Sequence, residues 1–188
     1  LPIEIASEIV KVVAGNKGDR SASLLCRPEY IQSAAKLVDG MSKVAVISGF
    51  YIVSAQAPET DGPNGAVILA RAFYEAGREA EIWTDSSCFE IIRVCAKAAG
   101  FPEQFVKIHD KAIFTQEYMP DGIIFIERPG RAEDGKYYNF KQQDISKMIA
   151  PLDGYANLAR TLNIPTIGIG DGGNEAGMGC FREALSVR

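Results

Sequence analysis

Thr166-Ile167-Gly168-Ile169-Gly170-Asp171-Gly172-Gly173-Asn174-Glu175-Ala176-Gly177-Met178-Gly179 joins an apolar run to a loop in which five glycines, from Gly170 onward, crowd around two carboxylates and an amide. The apolar lead-in predicts a buried strand, and the glycine-rich stretch after it is too poor in side chains to be a core element. Such a backbone can approach a bound group closely and aim several N–H groups at it, while Asp171, Asn174 and Glu175 supply the polar side chains. A helix beginning at about Asn174 would add exposed N-terminal amides that favour an anion. Gly168, Gly170 and Gly173 satisfy G-x-G-x-x-G, but a dinucleotide fold places that pattern in its first strand-to-helix turn, with an acid about 20 residues further on. Here the pattern lies near the end of the sequence, which argues against dinucleotide binding. A purely structural turn would need only one or two glycines.

Working outward, the preceding segments repeat the alternation of apolar run and helical pattern. Lys43 to Ser48 and Gly122 to Ile126 are short continuous apolar runs, the form of parallel strands buried on both faces, and with residues 165–169 they are expected near the centre of a sheet. Ala80 to Thr84 reads as a further strand and Phe105 to Ile108 as a short edge strand. Helices are expected over residues 3–13 (stopped by Gly15 to Gly18), from Pro28 to Gly40, from about Pro63 to Ala76, over Ser86 to Ala99 with Asp85 or Ser86 as cap and Gly100 as stop, over Asp110 to Tyr118, and from an Asp153 cap to about Asn163. The predicted fold class is α/β, a parallel, Rossmann-like sheet with helices on both faces, formed by one domain over residues 1–188.

Composition narrows the function. A chain of 188 residues, 47% hydrophobic and 23% charged, suits a soluble globular domain. Its net charge of −4 and lack of any Lys/Arg run exclude a nucleic-acid surface. No apolar run approaches the roughly 18 residues that cross a bilayer, so no membrane partner is expected. Cys26, Cys88, Cys95 and Cys180 show no C-x-x-C spacing and His109 is the single histidine, which suggests reduced thiols in a cytoplasm-like compartment rather than zinc or disulfides. Cys88 and Cys95, seven apart, fall on one helix face as core thiols. His109 is a strand-end residue with no serine or cysteine partner beside it.

Ligands of such sheets bind beyond the carboxyl ends of the strands. That rim carries three loops. Glu59-Thr60-Asp61-Gly62-Pro63-Asn64-Gly65 sets two acids before a helix, where Asp61 serves either as a cap or as a site residue. Glu127 and Arg128 follow the 122–126 strand. Arg128 and Arg131 can clamp a carboxylate or can pair with Glu133 or Asp134 at the surface. Residues 131–144 show neither helical nor strand periodicity, and a loop of that length in a compact domain usually has a function or is mobile. The Glu59 to Gly65 and Gly170 to Gly179 loops should face each other across one cleft. Clustered carboxylates of this kind can also hold Mg²⁺ or Mn²⁺, although no acid spacing here is a recognised metal site.

Glu59-Thr60-Asp61-Gly62-Pro63, Glu127-Arg128 with Asp134-Gly135-Lys136-Tyr137-Tyr138-Asn139 and Asp144-Ile145-Ser146, and Gly170-Asp171-Gly172-Gly173-Asn174-Glu175 with Gly177-Met178-Gly179 resemble, in order and spacing, the D-glutamate cyclase family over about residues 8–185. The resemblance implies conversion of D-glutamate to 5-oxo-D-proline and water, hence a small anionic amino-acid substrate and a mitochondrial matrix location in a eukaryote. Members of that family continue beyond the Gly-Met-Gly segment, so a C-terminal part is expected to be lacking here. Cyclisation needs a neutral α-amine and an activated carboxylate whose oxygen leaves as water. On the residues, Asp171 or Glu175 is assigned as base and proton shuttle, with Glu59 and Asp61 as further catalytic acids. Gly62, Glu127, Arg128, Tyr138, Asn139, Gly172, Gly173 and Asn174 are assigned to substrate binding. The rival readings are a nucleotide- or phosphate-ester-binding α/β protein and a non-catalytic binder of acidic metabolites. A homo-oligomer is compatible with all three.

Overall fold

The structure, a computed structural model, describes residues 1–14, 26–110 and 119–181. The Gly15–Gly18 helix stop, the helix expected from Asp110 to Tyr118 and the final residues of the sequence lie outside them. In chain order the elements are α1 (Ile3–Ala14), α2 (Pro28–Asp39), β1 (Lys43–Ser48), β2 (Tyr51–Ile52), β3 (Ala57–Pro58), α3 (Asp61–Glu75), β4 (Glu79–Thr84), α4 (Ser86–Ala99), β5 (Val106–Ile108), β6 (Gly122–Ile126), α5 (Gly154–Thr161) and β7 (Thr166–Ile169). Five strands form one sheet in the order β5-β4-β1-β6-β7, every pairing parallel, and β2 and β3 form a small antiparallel pair of their own.

The apolar runs become the middle of this sheet because each is covered on both faces. Val44, Val46, Ile82, Ile124 and Ile126 point into a core closed by Ala66, Val67, Ala70 and Phe73 of α3 and by Cys88, Ile92 and Ala96 of α4. Ala45, Ile47, Trp83, Ile123 and Phe125 point the other way, into a core closed by Tyr155 and Ala159 of α5 together with Leu152. Burying one such aliphatic side chain contributes about 1.5–3 kcal/mol, so these two layers dominate the stability. Cys88 is buried and Cys95 packs against the first core from its margin, both as thiols on one helix face. Gly100 ends α4 at φ +74°, the left-handed cap its position predicts. Among the described residues no helix is long and apolar enough to cross a membrane.

Several expectations are corrected. β7 does not lie near the centre: among the described residues it pairs only with β6, and Ile169 is 48% exposed. A continuous apolar run cannot distinguish a strand covered on both faces from an edge strand in which a glycine, Gly168, replaces one of the side chains. No helix begins at Asn174. Gly130 N–H donates to Asn174 O and Ala176 N–H to Arg128 O, so the glycine loop runs back along residues 128–130, and a short 3₁₀ turn (Met178–Phe181) follows. Asp85 and Asp153 precede α4 and α5 without capping them through their side chains. The 131–144 loop is held by a Tyr138–Asp144 bridge and by a small core of Phe50, Tyr137, Ile145 and Ile149.

From β1 the chain moves outward to β4 and β5 through α3 and α4 on one face, while β6 and β7 lie on the other side of β1 with α5 on the opposite face. The loops leaving the carboxyl ends of β1 and β6 therefore diverge. A crevice opens between them, where parallel sheets place their ligands.

Candidate functional site

Three carboxylates meet at that crevice. Oxygens of Glu127, Asp171 and Glu175 all lie within 4.8 Å of one another. Glu127 stands at the end of β6 and donates its backbone N–H to Ile169 O. Its φ of +46° is a conformation that residues other than glycine rarely adopt, and it marks a constrained position. Burial first, then the neighbouring charges of Glu175, Asp171, Asp61 and Glu59, push its carboxyl up to about 8. Three of the five acids predicted for the site, Glu127, Asp171 and Glu175, thus form one group. The β1–α3 loop, which carries Glu59 and Asp61, meets the same strand end through Gly62, whose Cβ position lies 2.9 Å from Glu127 Cβ.

Glu175 is the buried member, 5% exposed. Its two oxygens accept the N–H groups of Gly172 (2.9 Å) and Gly173 (2.7 Å). A methyl group on Gly170 would stand 2.8 Å from Glu175 Cβ and Cγ, and one on Gly172 only 2.7 Å from Glu175 Oε1. Gly170 is thus required by the stem of the protein's own glutamate, while Gly172 faces only the tips of the Asn174 and Glu175 side chains. The expectation that the Gly172 and Gly173 amides receive a substrate carboxylate is corrected: Glu175 already occupies them. Asp171 is exposed at the mouth of the cluster. Asn174 donates Nδ2–H to Tyr138 O (2.9 Å) and so ties the glycine loop to the 131–144 loop.

On the opposite wall Asp61 begins α3 and accepts Gly62 N–H at 2.8 Å, while Glu59 donates its backbone N–H to Phe50 O. Gly62 packs so closely on the ends of β1 and β6 that a Cβ there would lie 2.9 Å from both Ser48 Oγ and Glu127 Cβ. Ser48 Oγ is wholly buried and has no hydrogen-bond partner among the described residues, and the same holds for Thr84 Oγ1 at the end of β4.

Arg128 does not reach the cleft. Its side chain is 0% exposed: Nη1 donates to Asp85 Oδ2 (2.8 Å) and Gly49 O (3.0 Å), and Nη2 donates to Ala150 O. Asp85 completes the knot by accepting Ser87 Oγ–H at 2.6 Å and Ala150 N–H at 3.3 Å. Arg131 pairs with Asp153 and Tyr137, and Asp134 accepts the Tyr138 hydroxyl and the Lys136 N–H instead. Asn139 Oδ1 accepts the Lys141 and Gln143 N–H groups, so it shapes a turn instead of meeting substrate. Tyr138 directs its hydroxyl to Asp134 Oδ2 at 2.6 Å. His109 stacks on Trp83 and shares a hydrogen bond with Tyr155 OH, and burial lowers its pKa. Sequence reasoning missed Ser48 as a site neighbour and Asp85 as the partner of Arg128. The only sequence signal for Ser48 and Thr84 is that each is a polar residue closing an apolar strand.

A parallel sheet whose strand ends gather the carboxylates of Glu127, Asp171 and Glu175 defines an α/β protein with a candidate site where such sheets place ligands. The family model described as "D-glutamate cyclase-like, C-terminal" matches residues 9–187, and the chain belongs to that family. It is 30% identical over 197 residues to the human protein named D-glutamate cyclase, mitochondrial, an alignment that covers 94% of this chain. The chain spans about a third (32%) of the length of that relative.

Proposed function

We propose that this chain forms the cyclising centre of a D-glutamate cyclase, converting D-glutamate to 5-oxo-D-proline and water. The observation that carries this reading is the convergence of acids from three loops around Glu127, in a chain of this family. In the reaction the α-nitrogen attacks the side-chain carboxyl carbon, a C–N bond forms and a C–O bond breaks. The ammonium loses two protons and the departing oxygen gains two, so no outside proton is consumed. A carboxylate that takes a proton from nitrogen and returns it to oxygen is sufficient as acid–base catalyst. Asp171, the exposed member of the cluster, is assigned that shuttle. Glu175, fixed by the Gly172 and Gly173 amides, orients the cluster. Glu59 and Asp61 line the opposite wall, where the substrate ammonium is attracted.

The phosphate-ester reading is weaker on physical grounds, since its amide cradle is occupied by Glu175 and a phosphate would face like charges. If the source is eukaryotic, a mitochondrial location follows the name of the human relative, and otherwise a cytoplasmic one. Chiral chromatography of D- and L-glutamate incubated with the intact protein tests the proposal. Loss of the D-enantiomer with matching formation of 5-oxoproline is expected. Unchanged D-glutamate in protein that remains folded defeats it.

A further inference from the structure

We propose that Glu127 is the catalytic acid of the cyclisation, the group that hands a proton to the departing oxygen. The proposal rests on the cyclase reading and adds to it a residue that the Asp171 shuttle leaves without a task.

It begins from a difference among three neighbours. Oxygens of Glu127, Asp171 and Glu175 lie within 4.8 Å of one another, a spacing at which three negative charges repel one another in a partly buried crevice. The support each charge receives is unequal. Glu175 accepts the N–H groups of Gly172 and Gly173, one on each oxygen, and hydrogen bonds of that kind favour the ionised form. Asp171 is exposed, so water solvates its charge. Glu127 is half-buried, and no hydrogen bond from a described residue supports its carboxyl group. The one cation beside it in the chain, Arg128, is committed to Asp85, Gly49 and Ala150. Glu127 is therefore the member that keeps a proton. Its titration agrees: burial, then the charges of Glu175 and Asp171 from the glycine loop and of Asp61 and Glu59 from the β1–α3 loop, oppose its ionisation.

Position makes that proton useful. Glu127 directly follows β6, and its Cβ stands 2.9 Å from the Cβ position of Gly62 in the first turn of α3. It thus lies between the β1–α3 loop and the glycine loop, at the strand end where parallel sheets place ligands. A general acid works best when its pKa lies near the working pH, and a glutamic acid at its ordinary 4.5 would already have lost its proton there.

The proton count closes without an outside donor. The substrate ammonium gives one proton to the Asp171 carboxylate, and the freed amine attacks the side-chain carboxyl carbon. As that C–N bond forms, Glu127 gives its proton to the carboxyl oxygen. The C–O bond then breaks as the same oxygen takes the Asp171 proton and leaves as water, while the second nitrogen proton passes to Glu127. Both acids end as they began.

The experiment combines the pH dependence of kcat/KM for D-glutamate with infrared titration of the substrate-free protein, in wild type, Glu127→Gln, Glu127→Asp and the surface control Glu90→Gln. In wild type, kcat/KM should fall as pH rises through about 8, and the infrared band of a protonated carboxyl group should disappear over the same range. Glu127→Gln should lack that band and lower kcat by about 10²-fold or more at neutral pH, with the alkaline fall abolished in the turnover that remains. Glu127→Asp, which keeps an acid, should recover part of the rate and the alkaline fall, and Glu90→Gln should match wild type. Melting temperatures recorded alongside establish that each variant is folded. Wild-type turnover or an unchanged pH profile in Glu127→Gln overturns the proposal, and so does a wild type in which no protonated carboxyl titrates near pH 8. A wild type that turns over no D-glutamate defeats the cyclase reading and the donor role with it, while the infrared band alone decides whether Glu127 holds the proton.

Discussion

Glu127 and Arg128 are adjacent in the chain, yet they belong to two different kinds of charged region. Arg128 enters a buried knot in which Asp85, Gly49 O and Ala150 O receive its guanidinium and Asp85 is itself satisfied by Ser87 and Ala150. Glu127 enters a cluster in which its strongest neighbours are all acids. The first region has opposite charges and directed donors, the pattern of a scaffold; the second gathers like charges at a crevice, an arrangement that costs stability and that folding alone does not call for. A paired buried charge marks what holds the loops, and an unbalanced one marks what the loops are held for.

The sharpest way to break that division is Arg128→Met, which leaves the Asp85 carboxylate buried without its counter-charge. Removing one member of a buried pair costs about 3–5 kcal/mol, a large part of the roughly 5–15 kcal/mol available to a domain. The denaturation midpoint should collapse in Arg128→Met and recover in part when Asp85→Asn is added. A well-folded Arg128→Met protein with lost turnover would move Arg128 from the scaffold to the site.

Asp171→Asn should behave in the opposite way. It keeps shape and hydrogen-bonding capacity but removes the proton shuttle, so kcat should fall by about 10²-fold or more while the melting temperature stays near wild type. Lowered melting temperature with normal kcat would make Asp171 structural.

The pH dependence of stability sharpens the comparison from the side of Glu127. Its folded-state carboxyl titrates at about 8, against an ordinary value of 4.5. Below 4.5 both folded and unfolded chains hold the proton and Glu127 exacts no penalty. As pH rises from there the unfolded chain gives up the proton first, so stability falls until about pH 8 and levels off above it. Wild type should lose stability relative to Glu127→Gln across this window. Parallel pH curves for the two would show that Glu127 carries no such strain. The smallest effect is expected for Asn174→Ala, which removes the hydrogen bond to Tyr138 O and should cost about 1 kcal/mol in denaturant melts.

Much of this was legible in the sequence, for reasons that also explain what was not. β1, β6, α3 and α4 follow from apolar periodicity and glycine stops, because those patterns report local geometry and two-sided burial directly. The edge position of β7 is not written in Thr166–Ile169, since Gly168 continues the apolar string while the space beside it is closed by the Ala176–Gly177 backbone and not by a side chain. The five acids of the cleft could be named because parallel topology sends all strand ends to one rim. Their surroundings could not: the partner of Arg128 lies 43 residues away, a separation over which no spacing rule operates. The glycine loop was recognised as a cradle, but its occupant sits within the same string, and residue spacing does not say whether a ring of amides closes on a ligand or on itself.

That self-closure has a consequence for variation. Gly170 is bare because Glu175 fills the space its side chain would take, so the two positions are one shape divided between separate codons. Gly170→Ala alone collides with the glutamate and Glu175→Ala alone leaves a hollow and two stranded amides, whereas the two changes together relieve part of each other's injury. Descendants of this sequence can therefore leave the motif only by crossing a valley, and the Gly-Asp-Gly-Gly-Asn-Glu string should be kept whole or lost whole.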